Sequence, residues 1–259
     1  MTKKHVDIIQ KNFGSQADEY LSSSVHATGE DLAGLRKMCE EQGRAVVLDL
    51  GCGGGHVSYT VAPYVESVVA YDVSERMLEV VAKAGRERGL ANIRTLRGRA
   101  ESMPFSDAAF DFVFSRYSAH HWHDVGLALR QAGRVLKPGG KAVFIDVVSP
   151  GFPVLDIFLQ TTEMLRDTSH VRDYSASEWL RFIQEANLTV DNLKSFRLEL
   201  AYASWIGRMR TPEPLARAIR ELQKAAPNEV IHHFALQDDG SFTVDAIILT
   251  VGKENLELM

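Results

Sequence analysis

Cysteine is nearly absent from this chain. Only Cys39 and Cys52 occur, and their spacing matches no metal-ligand pattern. A disulfide framework is excluded, and a reducing compartment fits. No run approaches the ~20 apolar residues that a membrane-spanning helix needs. The opening Met1-Thr2-Lys3-Lys4-His5-Val6-Asp7 lacks the apolar stretch of a secretory signal. Basic excess is missing too: 29 Lys and Arg against 34 Asp and Glu leave a formal charge of −5, which argues against a general nucleic-acid partner. Arg208, Arg210, Arg217, Arg220 and Lys224 cluster locally, and a solvated helix face is their simpler reading. Internal repeats and low-complexity linkers are also lacking. The expectation is a soluble, cytoplasmic protein with no nucleic-acid partner and no membrane span. Nothing in the sequence sets an oligomeric state.

What is present is a core-forming chain of 259 residues with 45% apolar side chains. Residues 1–42 read as helical, with Val6, Ile9, Phe13, Ala17 and Tyr20 at helical spacing. From residue 45 short apolar, β-branched runs alternate with amphipathic stretches. Strands are predicted at 45–50, 68–72, 93–96, 110–115 and 142–148, with Pro138-Gly139-Gly140 stopping the helix before the fifth. Ser74 is a predicted helix cap, and Val125, Ala128, Leu129, Ala132, Val135 and Leu136 mark an amphipathic helix. Beyond 150 the rhythm loosens. A helix at 177–186 capped by Ser177, a strand at 196–202, a helix at 213–225 and a last strand at 242–251 complete the pattern. Strands alternating with helices predict an α/β fold, a mostly parallel sheet covered on both faces.

The sharpest local motif is Asp49-Leu50-Gly51-Cys52-Gly53-Gly54-Gly55-His56, between a predicted strand and a predicted helix. Nucleotide cofactors bind at such a turn, where glycines let backbone approach ligand. A dinucleotide site would require G-x-G-x-x-G, but the third position is His56, so a nicotinamide dehydrogenase is disfavoured. Asp49 at the head of the loop suits a ligand with a cationic amino-acid end and a sulfonium. Asp72 ends the second strand, where an acid accepts hydrogen bonds from ribose hydroxyls; alone it could be a helix-capping or turn aspartate, but together with the glycine loop the ribose role is favoured.

Four segments in order carry a family resemblance: Val47–Gly55; Asp72-Val73-Ser74-Glu75-Arg76-Met77-Leu78; Met103-Pro104-Phe105 through Phe110–Val113; and Arg134–Gly140. Together they resemble the class I S-adenosylmethionine-dependent methyltransferases, in the branch that holds the ubiquinone/menaquinone-biosynthesis and many small-molecule methyltransferases. The match covers about residues 44–148. It implies a Rossmann-like seven-stranded sheet with an antiparallel last strand. It implies one methyltransferase domain over 1–259: a helical N-terminal cap at 1–42, a cofactor-binding core at 44–148, and substrate-side elements with the final strands at 149–259. The cofactor implied is S-adenosyl-L-methionine. Asp49 and the backbone of Gly51, Cys52, Gly53 and Gly55 would hold its methionine part, Asp72 its ribose, and Met77 its adenine. Relatives place an acid after the third strand, where this chain has Gly98-Arg99-Ala100-Glu101. Backbone at Arg99 and Ala100, or Glu101, would substitute there, and Ser115 and Arg116 would meet the methionine end.

Methyl transfer from a sulfonium asks the protein mainly for alignment. A base is needed where the nucleophile carries a proton. Candidates sit in Ala119-His120-His121-Trp122-His123-Asp124. Adjacent histidines cannot both face one pocket, so His120 or His121 is the candidate base. A structural or capping role is the plainer reading, and the i, i+1, i+3 spacing is poor for a metal, so none is expected. Tyr20 and His26 are candidate cover residues. His170 and Tyr174, with Met164 and Trp179, are candidate walls of an acceptor pocket or only core beneath an insertion at 151–182. The reading is a methyltransferase acting on a small, partly apolar or aromatic acceptor. The alternative is a catalytically silent cofactor-binding sensor or partner protein.

Overall fold

The computed structural model describes residues 5–14 and 29–254. Among these, seven strands form one sheet: β1 (Val46–Leu50), β2 (Ser67–Asp72), β3 (Ile93–Arg97), β4 (Phe110–Arg116), β5 (Leu136–Val147), β6 (Thr189–Leu200) and β7 (Phe242–Gly252). Their order is β3-β2-β1-β4-β5-β7-β6, and β7 runs antiparallel to both neighbours. β1, β2, β4 and the second half of β5 were predicted because they are largely buried, which demands continuous β-branched and aromatic runs. β1 pairs parallel with β2 on one side and β4 on the other. The connections leave it in opposite directions, so the carboxyl ends of β1 and β4 flank the crevice where this topology binds ligands.

Helices α1 (His5–Gly14), α2 (Glu30–Gln42), α3 (His56–Val61), α4 (Glu75–Glu87), α5 (Val125–Val135), α6 (Pro153–Arg166), α7 (Ala176–Glu185), α8 (Tyr202–Met209), α9 (Glu213–Lys224) and α10 (Asn228–Phe234) cover the sheet. Ser74 caps α4 by accepting from Met77 N at 3.4 Å, and Asp124 caps α5 through Leu127 N at 2.8 Å. One face buries Leu48, Leu129 and Trp179; the other buries Val47, Phe112 and Phe114. A third cluster under α6 gathers Leu159, Trp205, Phe234 and Phe242. Fully burying each such side chain contributes ~1.5–3 kcal/mol.

Some expectations are corrected. The cap of α7 is Ser175, not Ser177: Ser175 Oγ accepts from Glu178 N, and Glu178 returns the bond to Ser175 N at 2.8 Å, a reciprocal capping box. The strand expected from 196 begins at Thr189, because β6 is an edge strand whose largely exposed face carries little apolar signal. Pro138-Gly139-Gly140 lies inside β5 rather than before it, with Gly139 at φ +75°. Residues 153–166, read as an irregular insertion, form the fourteen-residue helix α6 with Pro153 in its first turn. The expected Ala17 and Tyr20 turns of the N-terminal segment lie outside the described residues.

The far end of the sheet is tied by one carboxylate. Asp111 accepts from Val46 N at 2.8 Å and from Lys137 Nζ at 2.8 and 2.9 Å, joining β1, β4 and β5. Asp111→Ala leaves a strand N–H unpaired and is expected to cost about 1–3 kcal/mol. Urea unfolding checks this: the midpoint should fall with an unchanged slope, and a midpoint equal to wild type would refute the tie.

Candidate functional site

The turn leaving β1 is shaped by what has no side chain. Gly51 sits at φ +71°, and a Cβ there would lie 1.9 Å from Ser118 Oγ. Gly53 and Gly55 also adopt positive φ, and a Cβ on Gly55 would meet Tyr59 and Val81 at 2.8 and 2.9 Å. The amides of Gly51 and Cys52 both donate to Tyr71 O, at 2.8 and 3.1 Å, folding the loop back onto β2. Asp72 then accepts from Gly53 N at 2.9 Å and from Ser74 N at 2.8 Å, joining the two βα turns. Asp49, 1% exposed, accepts from Ser58 N at 3.0 Å and Ser58 Oγ at 2.6 Å. Burial raises its carboxyl pKa to about 7 despite the Ser58 bonds, and the same cause raises Asp72.

These residues line a cavity of about 200 Å³ that also reaches His5, Met77, Arg99, Ala100, Tyr117 and His120. Asp49, Gly51, Cys52, Gly53, Asp72, Met77, Arg99 and Ala100 thus meet in one space, as does Glu101. Gly98 precedes them because a Cβ there would strike the Tyr71 hydroxyl at 1.9 Å. Glu101 accepts from His123 N at 2.8 Å and so anchors the next loop. Two of the expected contacts differ. Gly55 shapes the loop but does not line the cavity. Ser115 is 3% exposed inside β4, and its Oγ makes no hydrogen bond among the described residues; the wall is made instead by Arg116, Tyr117 and Ser118. Tyr117 leaves the strand at φ +51°, and Arg116 Nε pairs with Asp31 of α2 at 2.5 Å.

The donor chemistry fits the implied cofactor. Buried Asp49 and half-buried Asp72 flank a loop that leaves no room for a Cβ at Gly51 or Gly55, and a ligand with ribose hydroxyls and an ammonium brings the donors and charge that such acceptors require.

His120 and His121 both line the cavity, contrary to the expectation that only one faces it. They differ in charge. Burial alone would lower the pKa of His120, but Asp146 Oδ1 accepts from its Nδ1 at 2.6 Å and the net shift is up to about 9. Asp146 is itself fixed by Ala119 N at 2.8 Å and Val147 N at 2.9 Å. His121 is lowered to about 4 by burial and by the neighbouring His120 charge, and its Nδ1 donates to Ser169 O at 3.1 Å. His5 Nε2 donates to the same carbonyl at 2.9 Å, which brings α1 over the cavity.

The expected acceptor walls are corrected. His170 is turned onto Gln160 Oε1 at 3.0 Å, and Tyr174 packs edge-on against Phe182; neither lines the cavity. Trp179 is 1% exposed in the core against Phe144, whereas Met164 is 54% exposed on the outer face of α6. Tyr20 and His26 lie outside the described residues. The far walls come from residues not singled out in the sequence: Leu198, Leu200 and Trp205, with Glu163, Arg166 and Asp173. Asp146 had a visible signal, a lone acid inside the apolar run Ala142–Val148. Asp173 had none.

The Asp146 pairing has a measurable consequence. With a raised pKa, His120 contributes stability that is fully present below its ordinary 6.5 and is lost as pH rises through about 9. In histidine-detected NMR, one ring should remain protonated at pH 8. In Asp146→Asn the same ring should titrate below the ordinary value, since burial then acts without the counter-charge. A wild-type ring already neutral at pH 7 would contradict the pairing.

Comparison with known proteins agrees with this geometry. Residues 48–144 match a family model described as a methyltransferase domain. The uncharacterized protein YafE of Escherichia coli is 57% identical over 203 residues, covering 78% of this chain and 98% of that protein. The uncharacterized methyltransferase YcgJ of Bacillus subtilis is 37% identical over 242 residues, 92% of this chain and 96% of that one. The YcgJ crystal structure superposes with a TM-score of 0.83 over 87% of this chain and 98% of its own. A demethylmenaquinone methyltransferase of Lactococcus lactis is 31% identical over 60% of this chain and 64% of its own length. The chain belongs to this methyltransferase family, and it is an enzyme of the class I, S-adenosylmethionine-dependent type that its four motifs resemble.

Proposed function

We propose that the chain methylates a small, partly apolar or aromatic acceptor bound beside the His120 cluster. The observation that carries this is continuity: the cavity at the glycine loop extends without a break to Tyr117, His120, Leu200 and Trp205. A silent cofactor binder has no use for cavity walls that run on past the glycine loop, so catalysis is favoured. The quinone methyltransferase relative supports an apolar ring acceptor, as do the aromatic and aliphatic walls.

S-adenosylmethionine, when bound, supplies an electrophilic methyl group on a cationic sulfur. Asp49 and the glycine loop beside it would hold its amino-acid part. Asp72 stands where the ribose hydroxyls belong, and Met77, Arg99 and Ala100 form the base side. Leu198, Leu200 and Trp205 keep water from the acceptor, while α1 closes the mouth through His5. His120 stays charged while Asp146 holds it, so it orients and stabilises negative charge on the acceptor rather than acting alone as a base.

The direct test is transfer of a labelled methyl group from the cofactor to a panel of phenols, quinols and short carboxylates, read by mass spectrometry. Cofactor binding without transfer to any tested compound would favour the silent binder. Asp72→Ala should weaken S-adenosylmethionine binding by more than about 1.5 kcal/mol, roughly tenfold, as acceptor bonds are lost. Because Asp72 also joins the two turns, its melting temperature should fall as well. Unchanged affinity by calorimetry in the folded variant would move the ribose elsewhere.

Asp49 adds a pH dependence. A cationic ligand favours the ionised carboxyl, whose pKa is about 7 in the free protein. Binding should release protons below that pH, and affinity should rise as pH increases through it. Calorimetry in buffers of different ionisation heat measures this directly. Asp49→Asn should abolish the proton release, and its persistence would assign it to another group.

A further inference from the structure

We infer that Asp173 is the catalytic proton acceptor of this site, and that the acceptor molecule presents an acidic hydroxyl to it. This rests on the methyltransferase reading above and specifies its acceptor side.

Asp173 is 1% exposed, yet it lines the cavity. Among the described residues its Oδ2 has no hydrogen-bond partner, with His170 Nε2 standing off at 3.7 Å. A buried carboxylate oxygen without a donor is costly, and a ligand that brings an O–H group relieves the cost. Asp173, His120 and Asp146 each offer an atom within 4.8 Å of the others. The roles within this trio are unequal. Asp146 is saturated by two backbone amides and His120, so it positions the ring. The 2.6 Å separation between His120 Nδ1 and Asp146 Oδ1 is a direct hydrogen bond, which leaves no room for a metal ion between those atoms. Asp173 is the acid of the trio with an open oxygen.

The charges facing Asp173 choose the ligand class. His120 comes from the turn after β4, Asp146 from β5, Glu163 and Arg166 from α6, and His170 from its own loop. Glu163 and Arg166 pair with each other at 3.3 Å, and Arg208 of α8 lines the same space. Burial pushes the Asp173 carboxyl well above its ordinary range, so its ionised form takes up a proton readily; with it ionised, His120, Arg166 and Arg208 formally balance Asp146, Glu163 and Asp173. This end of the cavity therefore offers no net charge to draw in an ammonium or a carboxylate. A neutral acceptor with one ionisable O–H fits. In the step, the O–H bond breaks and its proton joins Asp173. The oxygen electron pair forms the new C–O bond as the methyl–sulfur bond breaks, and that bond's pair stays on sulfur. The proton leaves to water after the product departs.

The test uses 4-nitrophenol, whose phenolate absorbs at longer wavelength than its phenol, with the full chain saturated with S-adenosylhomocysteine. In wild type the bound probe should show the phenolate band at a pH where the free probe is mostly neutral. In Asp173→Asn the phenolate fraction should fall about tenfold, while S-adenosylmethionine affinity by calorimetry stays within about twofold. Asp173→Glu should restore part of the band, which a purely structural role would not predict, and it serves also if the Asn variant folds poorly. A probe that stays neutral or does not bind in wild type overturns the proposal, as does an equal phenolate band in Asp173→Asn. Failure of S-adenosylmethionine to bind wild type would instead bring down the functional reading itself.

Discussion

The bond pair made by Asp72, one oxygen to Gly53 N and the other to Ser74 N, is the joint on which the glycine-loop end of the cavity is built. The amides of the glycine loop must be directed, and glycine by itself leaves them free to turn. A carboxylate between two turns fixes both, and it places its remaining acceptor capacity toward the cavity. The arrangement has a thermodynamic side. Burial raises the pKa of Asp72 and of Asp49, so negative charge is held in a place that resists it. A cationic ligand relieves that cost on binding.

At the opposite end the same physics yields a different device. His120, Asp146 and Asp173 are buried together; the His120–Asp146 pair and the Ala119 amide compensate Asp146, while Asp173 keeps an open oxygen. His121 touches His120 at a ring separation of 4.2 Å and is kept neutral by that neighbour as well as by burial. Two consecutive histidines therefore serve as a cation and a neutral donor, one holding the acid pair and the other holding the loop at Ser169.

Legibility from sequence followed the range of the interactions. The loop from Asp49 to Gly55, the cap at Ser74 and the strands β1, β2 and β4 are local or largely buried, and their residues stand next to one another in the chain. Edge strand β6 was half missed because a strand with one solvated face loses the apolar run that identifies it. Ser115 lies inside β4, and the cavity is walled by the residues that follow it, Arg116 to Ser118. His170 and Tyr174 were plausible wall residues by type, but their contacts turn them to Gln160 and Phe182.

The acceptor end resisted reading because its parts come from distant segments. Asp146 and His120 are 26 residues apart, and Asp173 lies on a loop whose course is set by α6 and by backbone bonds from Val171 N and Arg172 N to His120 O. Those two bonds make the histidine segment the template for the loop that carries Asp173. The carbonyl of His120 fixes where the loop runs, while its ring, held by Asp146, meets the carboxylate that the loop delivers. The course of the loop and the charge facing Asp173 are thereby set by the same residue. A change in the loop's backbone would disturb the acid–histidine geometry even where no side chain in the trio had been altered.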